Sequence, residues 1–426
     1  VHDLRSSFNP QWSRRWIWDR GYRESRTPTC PSMLLELLSH QNFRDMLYGL
    51  DPSFRFATSR AVYKGILKYL SNRYNQPYIV QPLPVEDLAV YFEGETFDKA
   101  ILSWNEVEDP IEPTAAPTGY IIYTRVDEGA FDNGKVIETP MEKDGIMSVE
   151  IDIMPGHIYS FRIAAYNEGG KSFPSETVSI GIPVDGEYGK AVLAVNNFDR
   201  VSGPAYFDTP SYAGFDNRVD SGVPDVRDIT FIGEMYENRR AMPWVSNARA
   251  GFGTSYHGYA GKTVAGNTFD YAYVHGKALM KAGHPFFSCS NEAFCSDSSL
   301  RSSAWAADLI CGKQVTTSVG SGLQQKYAVF SPAMQQALSG FASDGGKILV
   351  SGSYIGTDLS DNIFPVQKDS LLAVQSVKFA ADVLGYRWRA GQASRRAEVK
   401  AVRNSYADFG ELSGAGFHNQ INPECY

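Results

Sequence analysis

The stretch that decides the fold is residues 153–163, which read Ile-Met-Pro-Gly-His-Ile-Tyr-Ser-Phe-Arg-Ile. Pro155-Gly156 is a turn signal, and from Tyr159 to Ile163 apolar and polar residues alternate, as on a half-buried strand. Similar short runs recur on its N-terminal side, with turn residues such as those at 132–134 between them. Short strands with regular turns predict an all-β sandwich. The alternating runs are residues 100–104, 119–123, 147–151 and 159–163.

These runs resemble a fibronectin type III domain over residues 81–185. Residues 101–104, Ile-Leu-Ser-Trp, match the strand whose tryptophan fills the core, and residues 165–172 match the turn after the family's most recognisable strand. The resemblance implies that Tyr159 is the corner tyrosine, with its hydroxyl bonded to backbone a few residues upstream. It also implies a spacer or an adhesive surface, because a fold alone does not define a function.

The segment after the sandwich, residues 186–426, has a different pattern. Strand-like apolar runs alternate with helical periodicity, which predicts a parallel α/β sheet. The segment resembles flavodoxin-like and class I glutamine-amidotransferase-like domains, through Ser-Asp-Gly-Gly-Lys-Ile-Leu-Val-Ser-Gly-Ser at 343–353. The predicted strands are 191–195, 285–289, 305–311 and 347–350, and the predicted helices are 271–282 and 332–342.

Ligands of open α/β sheets bind beyond the carboxyl ends of the strands, so Ser351, Ser353 and residues 288–291 are expected to face any pocket. Cys289 ends a strand, as an amidotransferase cysteine does, but it lacks the glycines of a nucleophile elbow. It is therefore either a nucleophile or, the favoured alternative, a small buried residue.

Polar residues after the first of these strands suggest a second possibility. Asp199 forms a site if it meets His257 or His275, and the sequence leaves that pairing open. The aromatic-rich stretch 207–273 is expected to hold insertions over the carboxyl edge of the sheet, and therefore a binding surface.

Residues 1–80 contain a third kind of motif. Residues 31–45 read Pro-Ser-Met-Leu-Leu-Glu-Leu-Leu-Ser-His-Gln-Asn-Phe-Arg-Asp, and a helical pattern follows over 54–70. This resembles the C-terminal part of zinc-dependent N-acetylmuramoyl-L-alanine amidases, in which an apolar strand ends in a glutamate. The resemblance implies that Glu36 is a catalytic carboxylate that handles protons at the scissile amide. It also implies that burial at the strand end raises the pKa of Glu36.

The zinc of that family is held by two histidines and a glutamate upstream of the motif, and it activates a water molecule. Only His2 precedes Glu36 here. We therefore expect zinc in the parent enzyme, no metal site in this chain and no activity from this chain alone. The alternative for Glu36 is a strand-capping carboxylate or one paired with Arg26 or Arg44. His40, close to Glu36, is expected to make a polar contact and not to bind a metal.

Composition limits the partners. The formal net charge is −8 without a basic stripe, which disfavours nucleic acid, and no apolar run is long enough for a transmembrane segment.

The five cysteines show no metal-ligand spacing, and Cys289 and Cys295 are close enough in sequence to bridge. The chain begins at Val1 and reads as a truncated or processed start, so a missing signal peptide gives no location.

The predicted fold class is multidomain, α/β plus all-β. It comprises an amidase-like α/β fragment at 1–80, a fibronectin type III sandwich at 81–185 and a parallel-sheet domain at 186–426. The leading functional hypothesis is the C-terminal region of an extracytoplasmic peptidoglycan amidase, whether periplasmic, outer-membrane-associated or secreted. The alternative is a non-catalytic protein of the cell envelope that binds a glycan or a protein. In both cases the expected partner is peptidoglycan or another envelope glycan.

Overall fold

The computed structural model describes residues 1–39, 41–94, 97–185, 189–215, 222–223, 227–228, 238–239, 264–265, 267–320, 324–360 and 370–388.

Helices provide the regular structure of the N-terminal segment. Asn42 and Asp51 each cap a helix by accepting a hydrogen bond from a main-chain N–H two residues on, and Pro52 takes the first helical position. The helix predicted over 54–70 is confirmed. The helices are α1 (His2–Ser7), α2 (Arg23–Arg26), α3 (Phe43–Leu50) and α4 (Pro52–Tyr74).

The apolar strand expected to end at Glu36 is not present, and that prediction is wrong. The segment is irregular, and Met33, Leu34 and Leu35 are 73%, 45% and 51% exposed. A strand needs a neighbour to pair its backbone groups, and no strand in the described part of the chain pairs with this segment. The burial expected at Glu36 is therefore also missing, because its side chain is exposed.

Helix α4 is joined to the sandwich by buried ion pairs. The Arg60 guanidinium lies 2.9 Å from a carboxylate oxygen of Asp109, and the two side chains are 8% and 6% exposed. Arg60 also donates to the carbonyl of Gln81, and Lys64 Nζ lies 3.7 Å from the Glu112 carboxylate and 2.6 Å from that of Asp3 in α1. Such pairs are costly to break on one side only, so they hold α4 in one position.

The predicted sandwich is confirmed and is consistent with the fibronectin type III resemblance. One sheet has the order β5-β6-β2-β1 and the other β4-β3-β7-β9, with β8 beside β7. Trp104 is fully buried and packs edge-on against Tyr120 at 5.0 Å. A short 3₁₀ helix covers Pro113–Ala115. The strands are β1 (Glu86–Phe92), β2 (Lys99–Asn105), β3 (Gly119–Val126), β4 (Lys135–Ile137), β5 (Met141–Lys143), β6 (Ile146–Asp152), β7 (Ile158–Asn167), β8 (Gly170–Lys171) and β9 (Val178–Gly181).

The corner role predicted for Tyr159 is not found. Its ring is buried, but its hydroxyl bonds to none of the residues that the structure describes. Asp127 closes this end of β7 instead. Its carboxylate accepts from the Ile158 N–H at 2.9 Å and lies 2.7 Å from His157 Nδ1. The tyrosine hydroxyl is therefore not needed to fasten the corner.

The third segment contains a parallel sheet with helices, as expected. Its strand order is β16-β10-β17-β20, and every neighbouring pair is parallel. The predicted strands and helices of this sheet are confirmed. The strands are β10 (Ala191–Asn196), β11 (Tyr206–Asp208), β12 (Tyr212–Phe215), β13 (Arg227–Asp228), β14 (Asn238–Arg239), β15 (Val264–Ala265), β16 (Phe286–Ser290), β17 (Ala304–Gly312), β18 (Thr317–Val319), β19 (Gln324–Lys326) and β20 (Lys347–Gly352). The helices are α5 (Tyr271–Lys281), α6 (Asn291–Ser296), α7 (Ser298–Ser302), α8 (Pro332–Ser343), α9 (Thr357–Ser360) and α10 (Ser370–Asp382).

Strand β16 joins this sheet to the sandwich. It is parallel to β10 and antiparallel to both β1 and β9, so the two regions share one 13-stranded sheet. Ser288 fixes the contact, because its hydroxyl donates to the Ser179 carbonyl at 2.8 Å and accepts from the Ser179 N–H at 2.5 Å. Arg125 of β3 adds two hydrogen bonds to the Asp270 carboxylate, at 2.9 and 2.7 Å, where α5 begins.

Glycine 276 of α5 packs directly against β16, which gives a test of this joint. A Cβ at Gly276 would lie 2.0 Å from the ring of Phe286, which is fully buried. We predict that Gly276→Ala lowers the free energy of unfolding by about 1–3 kcal/mol, because the core has no room for the methyl group. The matched control is Gly340→Ala in α8, where an added Cβ meets nothing within 4 Å. This substitution should stabilise the protein by about 0.5–1 kcal/mol, because alanine is the better helix former. Urea unfolding curves measure both changes, and equal effects would contradict the packing at β16.

Candidate functional site

The carboxyl end of the parallel sheet gathers a group of polar side chains. Strand β10 lies between β16 and β17, so the later strands of the sheet are added on opposite sides of it. Open α/β sheets form a crevice at the carboxyl ends of the strands where the strand order reverses in this way. Asp199 follows β10 and is held on both carboxylate oxygens. Asn291 Nδ2 donates to Oδ1 at 2.8 Å, and Gln314 Nε2 donates to Oδ2 at 2.6 Å. Residues that follow three parallel strands therefore meet at Asp199.

A second carboxylate comes from the sandwich. Glu176 precedes β9, and its Oε2 accepts a hydrogen bond at 2.7 Å from Asn196 Nδ2, at the end of β10. The same Asn196 amide donates to the Thr177 carbonyl at 3.0 Å. The crevice is thus built from both parts of the 13-stranded sheet.

The local environment raises the pKa of both carboxyl groups. Desolvation by the surrounding protein, with the negative charge of Glu292, raises the pKa of Glu176 to about 8 and that of Asp199 to about 6. The hydrogen bond from Asn196 opposes the shift at Glu176, and those from Gln314 and Asn291 oppose it at Asp199. Both side chains are nevertheless exposed. Carboxyl groups that are crowded by protein and still accessible are typical of a crevice lining and mark candidate functional groups.

Several predicted site residues lie elsewhere or have structural roles. Ser288 belongs to the joint with β9, and the Ser290 side chain caps α6 by accepting from the Ala293 N–H. Ser351 lies within β20 opposite Ile310. The Ser353 N–H donates to the Gly312 carbonyl at 2.8 Å. Of the residues 288–291, Asn291 is the one bonded to Asp199.

The structure does not bring His275 to Asp199. His275 Nδ1 instead lies 2.7 Å from the Asp308 carboxylate, in the middle of β17. His257 lies outside the described residues, as does most of the stretch 207–273 in which a binding surface was predicted.

The surroundings of Cys289 disfavour a nucleophile. Cys289 is fully buried, and desolvation raises its pKa well above the usual value, which favours the interpretation as a small buried residue. Cys295, its suggested disulfide partner, is free, and so are Cys30 and Cys311. Cys425 lies outside the described residues.

None of the hydrogen bonds described for this crevice involves a residue of the amidase-like motif. Glu36 is exposed and has no hydrogen bond or ion pair within the described part of the chain, so the suggested pairing with Arg26 or Arg44 is not found. Arg44 pairs with Asp208 at 2.7 Å, and Asp45 accepts from the Ser39 N–H at 3.0 Å. His40 lies outside the described residues. The catalytic role of Glu36 stays a prediction.

Metal binding and membrane insertion receive no support from the described residues. No group of three or more His, Cys, Asp or Glu side chains among them has an arrangement that holds a metal ion. Within the same residues, no helix is both long and apolar enough to cross a bilayer.

No family model matches this chain, and no curated protein matches it. Solved structures resemble about a quarter of it at low similarity. They include the Br derivative of BhCBM56 (11% identity, 22% of this chain and 89% of that chain, TM-score 0.16) and an FN3tt mutant (18%, 24% and 94%, 0.19). The FN1–FN3 domains of chicken CNTN1 are another (17%, 25% and 33%, 0.20). Similarity this low supports no functional conclusion, and the sandwich assignment depends on the strand order.

The raised pKa of Glu176 makes the stability of the protein depend on pH. The folded protein holds this proton up to about pH 8, whereas the unfolded chain releases it near the ordinary value of 4.5. Stability should therefore fall as the pH rises between these values, by about 1 kcal/mol or less because the group still contacts water. We predict that Glu176→Gln reduces this fall, as measured by thermal unfolding between pH 5 and pH 9. The control is Glu24→Gln in α2, and an unchanged profile in Glu176→Gln would contradict the prediction.

Proposed function

We propose that the chain is a non-catalytic binding protein for a hydroxyl-rich glycan of the cell envelope, held in the crevice at the carboxyl ends of β10, β16 and β17. The observation that supports this most directly is the meeting of Glu176 and Asp199, two solvent-accessible carboxyl groups, with amide side chains. Carboxylate oxygens accept from sugar hydroxyls, and amides both donate and accept.

The charge and the position of the crevice agree with this ligand class. The net charge of −8 disfavours polyanions such as nucleic acid. A neutral ligand with many hydroxyls meets no repulsion from Glu176, Asp199 and Glu292. Because Glu176 comes from the sandwich and Asp199 from the parallel sheet, the sandwich contributes to binding and is more than a spacer. An extracytoplasmic location belongs to this proposal.

Substitution at Asp199 tests the proposal. Isothermal titration of wild type with neutral chito-oligosaccharides should show binding. Asp199→Asn should weaken that binding by about tenfold, which is typical of one lost charge-assisted hydrogen bond. Binding by wild type should also weaken as the pH falls through about 6, because Asp199 then takes up a proton and stops accepting on one oxygen. Asp199→Asn should lack that dependence.

The matched control is Glu128→Gln, which removes an exposed carboxylate that pairs with Lys277, away from the crevice. It should bind like wild type. Loss of affinity in both variants, or no binding of any of these glycans by wild type, would contradict the proposal.

A second candidate keeps the amidase hypothesis. The helix predicted after the Glu36 motif is present as α4, and the apolar residues Met33, Leu34 and Leu35 form an uncovered run next to Glu36. We propose that this segment belongs to an amidase domain whose zinc ligands are not provided by these residues. The zinc of the parent enzyme would activate water, and Glu36 would transfer protons.

This second candidate predicts that the present chain binds no zinc and releases no L-alanine-containing peptide from peptidoglycan. Metal analysis after equilibration with zinc and dialysis measures the first, and chromatography of digested peptidoglycan measures the second. Stoichiometric zinc in wild type, together with a peptide release that Glu36→Gln abolishes, would show a complete and active metal site and contradict the prediction. An equal loss of peptide release in the Glu24→Gln control would identify a non-specific effect.

A further inference from the structure

Residues 13–35 form an exposed arm whose two ends are fixed to the same apolar cluster. Just before the arm, Trp12 packs against Tyr48 with ring centres 5.3 Å apart. Just after it, Leu38 packs against that cluster as well. Between these ends every residue is exposed except Ser25, which is partly buried. The arm is therefore held at its base and presents its length to solvent.

Large apolar side chains are concentrated on this arm. A monomeric protein seldom exposes so many of them together, and such a surface is typical of a contact site. The Ser32 hydroxyl donates to the Ser25 carbonyl at 2.6 Å, which brings the apolar residues 33–35 back towards α2 and the residues before it. The exposed apolar residues are Trp16, Ile17, Trp18, Tyr22, Met33, Leu34 and Leu35, with exposed fractions from 45% to 74%.

The arm is positively charged, although the chain as a whole is negatively charged. Five arginines stand against Asp19 and Glu24, which gives the arm a formal charge of +3 in a chain of −8. Arg20 lies over the Trp18 ring, with its guanidinium carbon 4.3 Å from the ring centre. Within the described part of the chain, none of the five arginines has a carboxylate oxygen within the 4.0 Å of an ion pair. Their charge is therefore available to a partner outside the chain. The arginines are Arg14, Arg15, Arg20, Arg23 and Arg26.

We propose that this arm binds to the surface of an anionic phospholipid bilayer. Tryptophan and tyrosine rings favour the level of the lipid headgroups, and aliphatic side chains favour the start of the acyl chains. Guanidinium groups bind phosphate with two hydrogen bonds and are attracted to an anionic surface. The arm combines all three kinds of side chain. Contact of this kind needs no helix that crosses the bilayer.

Two other partners fit the arm less well. A nucleic acid would use the arginines and the aromatic rings, but the aliphatic residues 33–35 offer no ring for a base to stack on. A second copy of the chain, docked arm to arm about a two-fold axis, would place equal positive charges face to face. A bilayer is met by the charge and by both kinds of apolar residue.

The bilayer proposal does not depend on glycan binding, because it uses none of the residues of the crevice. It is an alternative to the assignment of residues 33–35 to an amidase domain. Binding of glycan and binding of vesicles are measured separately, so either proposal can fail without the other.

Vesicle co-sedimentation tests the proposal on the whole chain. Vesicles of phosphatidylglycerol mixed with phosphatidylcholine should bind wild type at least tenfold more tightly than vesicles of phosphatidylcholine alone, because several arginines meet the anionic surface. Added salt should weaken the binding to the mixed vesicles, since it screens exposed charges. Equal binding to the two kinds of vesicle, or no binding to the mixed ones, would overturn the proposal.

The double variant Trp16→Ser/Trp18→Ser tests the apolar part of the contact. It should bind the mixed vesicles at least tenfold more weakly, while its Tm stays within about 2 °C of wild type because both side chains are exposed. The matched control is Phe173→Ser, since Phe173 and Trp16 are both 64% exposed and Phe173 lies in the sandwich. Phe173→Ser should bind like wild type, and an equal loss in both proteins would rule out the arm as the contact.

The double variant Arg14→Gln/Arg15→Gln tests the charged part. Its preference for the mixed vesicles over the neutral ones should fall at least fivefold. The matched control is Arg55→Gln/Arg73→Gln, which removes two exposed arginines of α4 and should keep the preference of wild type. The same fall in both double variants would show an effect of net charge and refute the role of the arm.

Two further measurements separate a bilayer from a protein partner. Phosphatidylcholine with brominated acyl chains, added to the mixed vesicles, should quench tryptophan fluorescence of wild type, and Trp16→Ser/Trp18→Ser should lose most of that quenching. Undiminished quenching in the variant would contradict insertion of the arm. Sedimentation velocity without lipid should show the same state for wild type and variant. A wild-type dimer that the variant abolishes would assign the arm to a second copy and overturn the proposal.

Discussion

The pairing of β16 on both of its edges is the constraint on which the rest of the structure depends. Along one edge it continues the parallel sheet through β10, and along the other it pairs with β1 and β9 of the sandwich. All five of its residues are buried. A strand with no free edge tolerates neither a shift of register nor a change of direction, because each would leave main-chain donors and acceptors unpaired. The sandwich and the parallel sheet are therefore held as one body.

This rigid joint explains how a site forms between the two regions. Glu176 lies one residue before Thr177, whose carbonyl accepts from Asn196, and β9 begins immediately after. Since β9 pairs with β16 and β16 pairs with β10, the approach of Glu176 to the end of β10 is fixed by backbone hydrogen bonds. Functional groups on rigid elements keep their geometry better than groups on a flexible linker. The raised pKa values of Glu176 and Asp199 follow from the same packing, because protein atoms crowd the two carboxyl groups while their side chains stay exposed.

The sequence allows the elements to be predicted well and their assembly poorly. Alternation near Tyr159 and the apolar run at β10 are local patterns, so the sandwich strands and the parallel strands are readable from them. The strands that pair with β16 cannot be predicted in this way, because its long-range pairing with β1 and β9 has no local signature. Glu176 was missed as a site residue because that pairing is what brings it to the end of β10. The strand predicted before Glu36 is absent for a related reason. An apolar pattern forms a strand only where another strand pairs with its backbone groups.

Motif similarity and physical environment point to different residues in this chain, and the environment is the stronger guide. Glu36 has the motif context, but it is exposed and unbonded within the described residues, so nothing there adjusts its chemistry. Asp199 has no motif, yet its exposed carboxylate is held by the side-chain amides of Asn291 and Gln314. A carboxyl group that is fixed in this way, and whose pKa is raised by its surroundings, is the better candidate for a functional group. The proposed glycan site is therefore built around Asp199 and not around Glu36.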